Sequence, residues 1–573
     1  MARRIVRTLT QIGAFFVLVC VLVFLADSRY RVLPDSIHSA LPSHHAGNVI
    51  TDVTIATCSS VNPLSTCRLD PAKWSRIEKD LYLGSGWLSS AYVHVQRKKE
   101  EELTVDDRVI MDIKIGRLAP EVGDKEHGAS WESRPGGIHI LRSSKRHDSD
   151  SDKAITAVDV LFGSDAVDPR HNWELAQVPL LLDGSNSNRA ARLSLRRGRP
   201  KSEHRSIPVP RVRKDGKFKI LQVSDAHLST GTGVCRDAIG EGDRPSTHCE
   251  ADPRTLEFIE AILDDEKPDF VVLSGDQVEG PTAPDTQSAI FKITAPLIER
   301  SIPYAAIFGN HDDEGGRSLR RSSQMELMET LPFSLSHAGA EEVEGTGNYY
   351  VEILAPNSEH SALTLYMLDT HSLTPDEKHY KGYDWLKPSQ IEWFRTTSQT
   401  LKKSHTHSKY SHIHLDLAFI HIPLPEYAEK ENTIAGGEWK ERVTAPSYNS
   451  HFYDALVEEG VVAVGCGHDH VNDYCALRPQ KPTARDAPAD APETHHQGRK
   501  NRLGPWMCYA GGSGFGGYAG YGGFHRRVRV WEVDTNAGRL ETWKRVECCG
   551  EDTKKRIDEV VLVEGGNVLA EPS

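Results

Sequence analysis

The sequence predicts an α/β protein built around a largely parallel β-sheet. Strand-like and helix-like hydrophobic patterns alternate from Phe218 onward, and five short blocks of Asp, His, Asn and Gly occur there in order, four of them clearly following a strand-like run. The chain of 573 residues also exceeds the roughly 250–300 that one core holds, so a second folded unit is expected before the alternating region.

In chain order, residues 218–223 read as a buried strand. Residues 255–266 read as a helix with Leu256, Ile259 and Leu263 on one face. A strand at 270–273, a helix at 286–300 and a strand at 304–308 complete two right-handed β-α-β crossovers. Further strands follow at 363–368, 415–420 and 461–464, the last preceded by a helix over 447–459. Alternating strands at 528–533 and 540–546 close the region, joined by a turn with Asn536 and Gly538.

Upstream, Arg3, Arg4 and Arg7 precede an apolar run from Ile12 to Ala26. Two readings compete: a cleaved signal peptide, or an uncleaved anchor with its basic end in the cytoplasm. Phe24-Leu25-Ala26 puts a bulky residue where a cleavage site needs a small one, so residues 1–27 are read as a signal-anchor. Either way the rest of the chain enters the secretory lumen, in an endomembrane or, after cleavage, secreted. No Asn is followed by x-Ser/Thr, which counts against secretion.

Residues 28–200 carry short β-branched runs, such as 92–95 and 109–115, and predict a small β-rich domain. The turn-rich stretch 162–170 is given a structural role. Residues 189–219, rich in Arg, Lys and Pro, mark a linker, and the second domain is placed at 201–573. Two insertions are read as exposed loops: 396–414, with His405, His407, His412 and His414, and the disordered segment at about 476–504.

Hydrophobic residues at 38% and charged residues at 26% fit a globular chain. A net charge of -13 lacks the basic footprint of bulk nucleic-acid binding, so no nucleic-acid partner is expected. The 10 cysteines show no metal-type Cys-x-x-Cys spacing and are read as disulfides plus buried thiols.

The chemistry resides in five blocks: Asp225-Ala226-His227, Gly275-Asp276, Gly309-Asn310-His311-Asp312, His421 within Phe419-Ile420-His421-Ile422-Pro423, and Gly467-His468-Asp469-His470. Ligands bind at the carboxyl ends of strands in open α/β sheets, so these blocks converge on one edge. Carboxylate, imidazole and amide oxygen suit zinc, iron or manganese. A lone Asp-x-His means little, whereas five blocks in order at strand ends specify a site. Asp369 beside His371 either stands behind the metal ligands or, as preferred, serves a turn; Trp393 and Phe394 are read as core, and Asp469 as occupied by its turn. Tyr509, Phe515, Tyr518 and Tyr521 either line a cleft or pack a turn.

These blocks resemble those of the calcineurin-like metallophosphoesterases, the superfamily that includes the purple acid phosphatases, over roughly residues 215–550. The stretches 421–427, 467–473 and 511–521 are most similar to a plant and fungal branch whose fungal members are dosage-dependent cell-cycle-regulator phosphatases. The resemblance implies a metallophosphoesterase fold, a β-sheet sandwich flanked by helices. It implies two metal ions (Mn, Zn or Fe): Asp225, His227 and His470 on the first, Asn310, His421 and His468 on the second, and Asp276 bridging. It implies His311 as the group facing the substrate phosphate, oriented by Asp312. Two positions depart from the purple enzymes: Glu279 stands where they have a metal-binding Tyr, and His227 where they have Gly.

Such a site activates hydroxide for in-line attack on phosphorus. Hydrolysis of phosphate monoesters is the leading expectation, with phosphoproteins as candidate substrates. A phosphodiesterase using the same site and a catalytically silent tethered binding protein are the alternatives.

Overall fold

The computed structural model describes residues 2–30, 48–59, 67–86, 88–99, 102–104, 107–120, 131–143, 154–184, 186–198, 209–240, 244–246, 248–405, 413–479, 503–519, 524–547 and 554–572. His407, His412, Tyr521, Cys548, Cys549 and most of the 476–504 insertion lie outside them. The chain divides into two compact units, residues 1–162 with 170–205, and 163–169 with 206–573.

The expected membrane anchor is not supported. Ala2–Tyr30 forms one helix, yet among the described residues no helix is long and apolar enough to cross a membrane. The apolar run from Ile12 to Ala26 falls short of the roughly 17–25 residues of a spanning helix, and the stretch from Leu9 reaches that range only by taking in the polar Thr10 and Gln11.

The first unit is built by repetition. It holds three three-stranded sheets of identical connectivity, the third strand of each lying between the first two. Asn48–Ser59, Ile110–Ile115 and Ile155–Phe162 open the three repeats, each paired antiparallel with the last strand of its repeat: Ser89–Lys99, Ile138–Arg142 and Ala191–Arg197. Each opening strand is bulged at the same place, between Ile50 and Asp52, Ile110 and Asp112, and Ile155 and Ala157. Alternate residues of all three sheets, among them Val53, Val93, Ile113, Ile140, Val160 and Leu193, fill one apolar core. An apolar sheet face must be covered by another element, and here the three sheets cover one another.

The second unit contains two seven-stranded sheets. In the first, Lys217–Val223, Phe270–Ser274 and Tyr304–Ile307 run parallel, with Arg527–Asp534 antiparallel on the other side of Lys217–Val223. In the second, Ser361–Met367, Leu415–Phe419, Ala463–Cys466 and Trp506–Tyr509 are parallel neighbours. The faces of the two sheets meet: the Gln222 amide donates to the Cys466 carbonyl, the Trp531 indole donates to Gln222, and Phe419 stands edge-on to Trp531.

Crossover helices Ala251–Glu266 and Thr286–Glu299 flank the first sheet, and Pro388–His405 and Phe452–Glu459 pack on the second. The last helix starts at Phe452 rather than at 447, because His451 adopts a left-handed conformation that cannot continue a helix. Phe394 is fully buried and Trp393 packs beside it, in the core role read from sequence. The turn 163–169 belongs to this unit, where Asp165 receives a hydrogen bond from buried Lys292 at 2.7 Å.

Among the described residues three disulfides form: Cys58–Cys67, Cys235–Cys249 and Cys475–Cys508. Cys466 is a buried free thiol.

Candidate metal centre

All five blocks sit just beyond strand ends, three on the first sheet of the second unit and two on the second. To turn their side chains back over the sheet edge, Asp225, His227, Asp276 and His468 take positive φ of 57°, 48°, 50° and 77°. Non-glycine residues rarely accept this geometry, and it clusters at functional sites. Gly309 is needed for space: a Cβ there would lie 2.2 Å from Asp276 Oδ1.

Two clusters result, Asp225–His227–His470 and Asp276–His421–His468, in each of which one potential ligand atom per residue lies within 4.8 Å of the others. They adjoin. His421 Nε2 is 3.1 Å from Asp276 Oδ2 and 3.9 Å from Asp225 Oδ1, and His227 Nε2 is 3.8 Å from Asp276 Oδ2. All six side chains are buried.

Three imidazoles have their outer nitrogen committed. His421 Nδ1 donates to the Ser274 carbonyl at 2.9 Å, His470 Nδ1 donates to the Tyr518 carbonyl at 2.7 Å, and His227 Nδ1 meets Glu279 at 2.6 Å. Each therefore turns an Nε2 lone pair inward, the arrangement that metal-ligating histidines show. His227 Nε2 and His470 Nε2 face each other at 3.1 Å, an opposition of lone pairs that a cation between them relieves. Asn310 Oδ1 is buried and accepts no hydrogen bond among the described residues. Asp225 and Asp276 are ion-paired with imidazoles alone, and no described Lys or Arg reaches either. Carboxylates, imidazoles and an orphaned amide oxygen, with no fixed cation among them, fit metal ions.

The charge balance agrees. Burial opposes ionisation of Asp225, but His470 and His421 pull its pKa down to about 2. Burial, with His421 beside it, lowers His468 to about 3, so that ring stays neutral. Burial also works against a charged His421, yet Asp276 and Asp225 raise it to about 9 with the protein groups alone, a proton that a bound metal displaces.

His311 stands at the rim, its side chain 35% exposed and its ring 5.2 Å from that of His227. Burial lowers its pKa, and the carboxylates of Asp276, Glu279 and Glu314 more than offset this, leaving a net rise.

The orienting role expected of Asp312 is corrected by the geometry. Its carboxylate accepts the backbone N–H groups of Asp276, Val278 and Gly309, which lock the second and third blocks together. Burial and the nearby Asp276 raise its pKa to about 7. The ring of His311 is held instead by Glu314, three residues on, a relation hidden in sequence until the turn is known.

The two departures from the purple enzymes meet each other, since Glu279 supports His227 and is itself braced by Arg236 at 3.1 Å. Tyr518 stacks on His470 at 4.1 Å, and Tyr383, which sequence did not single out, stands edge-on to His468 at 4.4 Å. Asp469 accepts from the Tyr509 hydroxyl and Thr444, in the turn role read for it. Phe515 packs against the Cys235–Cys249 region. Asp369 holds Arg321, which also donates to the Gly309 carbonyl and so steadies the third block.

A fold of two facing sheets with such a centre defines a metallophosphoesterase, and residues 218–472 match the calcineurin-like phosphoesterase family. The chain belongs to that family. It is 37% identical to phosphatase DCR2 of Saccharomyces cerevisiae over 68% of this chain, and spans 64% of that protein's length. It is 35% identical to probable inactive purple acid phosphatase 14 of Arabidopsis thaliana, over 63% of this chain and 88% of that protein. An uncharacterized protein of Schizosaccharomyces pombe is 29% identical over 90% of each.

Proposed function

We propose that the chain hydrolyses phosphate monoesters, phosphoproteins among them, at a centre of two metal ions. Asp225, His227 and His470 would hold one, Asn310, His421 and His468 the other, with Asp276 between. The observation that carries this reading is the meeting of two buried ligand clusters beside an orphaned Asn310 oxygen. Bound there, the metals supply Lewis-acid charge for the phosphoryl oxygens and lower the pKa of water towards about 7.

The rest of the chemistry falls to the protein. His311, exposed at the rim and favoured in its protonated form, reaches the substrate's leaving oxygen and gives it a proton. Glu314 keeps that ring aimed outward and Asp312 fixes the turn beneath it. The disulfides among the described residues support a lumenal location, since such bonds persist in oxidising compartments.

The test is hydrolysis of an aryl phosphate monoester and the matching diester by the full chain, metal-stripped and then reloaded with Mn, Zn or Fe, beside Asp276→Ala. Monoester cleavage restored by metal and lost in the variant is expected. Preference for the diester makes it a phosphodiesterase, and silence with every metal in folded protein would end the catalytic reading.

A further inference from the structure

The three repeats of the first unit are joined by arginines, and one joint lacks its carboxylate. At the first joint, Arg142 of the second repeat donates to the Thr51 carbonyl at the bulge of the first and pairs with Asp52 at 2.8 Å. At the second, Arg197 of the third repeat donates to the Met111 carbonyl at 2.9 Å and pairs with Asp112 at 2.6 Å. Each arginine stands across from the residue before the bulge: Arg142 from Ile110, Arg197 from Ile155. Arg97, across from Ile50, holds the same place at the third joint, where the residue following the bulge is Ala157.

With no aspartate there, the third joint is an open cleft of about 510 Å³, lined by Arg97, Thr156, Ala157, Arg196 and Trp173 among others. Among the described residues Arg97 meets no carboxylate, and the Arg196 guanidinium reaches only the Thr156 hydroxyl and the Trp173 ring. Burial, with Arg170 and Arg97 beside it, lowers the pKa of Arg196, as expected for like charges gathered without an anion. The other charges on the cleft wall are matched: Arg76 is paired with Glu78, and Asp159 with Arg170 at 2.9 Å.

We propose that this cleft is a binding site for a dianionic phosphate group, which would take the place of the missing carboxylate between Arg97 and Arg196. Two unmatched guanidinium groups suit a dianion better than a single carboxylate, and planar donor forks suit phosphate oxygens. The volume lies within the usual range of about 300–1,000 Å³ for small-ligand sites.

The experiment is thermal unfolding of the full chain, metal-stripped so that nothing is hydrolysed, with millimolar inorganic phosphate, phosphoserine or acetate. A phosphate-dependent rise of about 3 °C or more is expected in the wild type. Ala157→Asp, which restores the third clasp, is expected to remove that rise while melting no lower than wild type without ligand. Should Ala157→Asp fold poorly, Arg97→Ala at an exposed position serves instead, keeping the wild-type melting point and losing the response. The larger rise, with phosphoserine or with free phosphate, identifies the source of the group. No rise in the wild type, a rise that survives in Ala157→Asp or Arg97→Ala, or an equal rise with acetate would overturn the site. None of these outcomes depends on turnover, so failure here is distinct from failure of the phosphatase reading.

Discussion

The joints of the first unit and the metal centre of the second treat their carboxylates in opposite ways. At the joints, half-buried Asp52 and Asp112 are clasped by Arg142 and Arg197. At the metal centre, Asp225 and Asp276 are buried and ion-paired with imidazoles, and no described arginine or lysine pairs with either. Burying a charge without a fixed counter-ion is costly, so a set of such carboxylates marks where a mobile cation belongs. Arg97 and Arg196, two guanidinium groups that share one cleft and meet no described carboxylate, mark a place for an anion by charge balance rather than by burial. Charge balance, more than residue type, separates structural acid–base pairs from binding sites in this molecule.

Substitutions test that contrast in order of size. Asp276→Ala should reduce metal-dependent turnover by about 10³-fold or more, the several kcal/mol that metal charge contributes, together with a loss of bound metal measured by elemental analysis. His311→Ala should lower kcat by about 10²-fold or more at unchanged metal content, and loss of the metal instead would contradict its place at the rim. Glu279→Gln, which keeps shape and removes the charge behind His227, should weaken metal affinity by about 10–100-fold in a competition titration.

Glu314→Gln is a smaller change with a definite sign. Glu314 contributes to the raised pKa of His311, so its loss lowers that pKa. A general acid is active while protonated, so the alkaline limb of the kcat/KM profile should move to lower pH; a shift to higher pH would exclude the role. Asp112→Asn should leave activity alone and cost about 1–3 kcal/mol in denaturant unfolding, through the charged hydrogen bond with Arg197.

Much of the centre was legible from sequence because its ligands follow strands directly. Asp225, Asp276, Asn310, His421 and His468 each fall within three residues of a strand's last residue, so finding the strand finds the ligand. The supporting contacts were not legible, because they depend on turn geometry. Glu314 reaches His311 only through the fold of the third block, and the Tyr518 carbonyl reaches His470 across 48 residues. The helix over 251–266 began four residues before its apolar pattern did, since Ala251 and Asp252 are buried by the loop that follows the first block. In the first unit, β character was readable at 92–95 and 109–115, but the repeat was not. Its signature is a bulge and an arginine in register, and register is invisible until strands pair.

The Cys475–Cys508 bond joins neighbouring antiparallel strands, and the 476–504 insertion lies between its two cysteines. A chain cut anywhere between residues 480 and 502 therefore remains one covalent molecule, with both strands tied into the sheet that carries His421 and His468. Such a nicked form would migrate with the intact protein in denaturing gels and separate into two fragments only when reductant is added, so the integrity of a preparation has to be judged under reducing conditions.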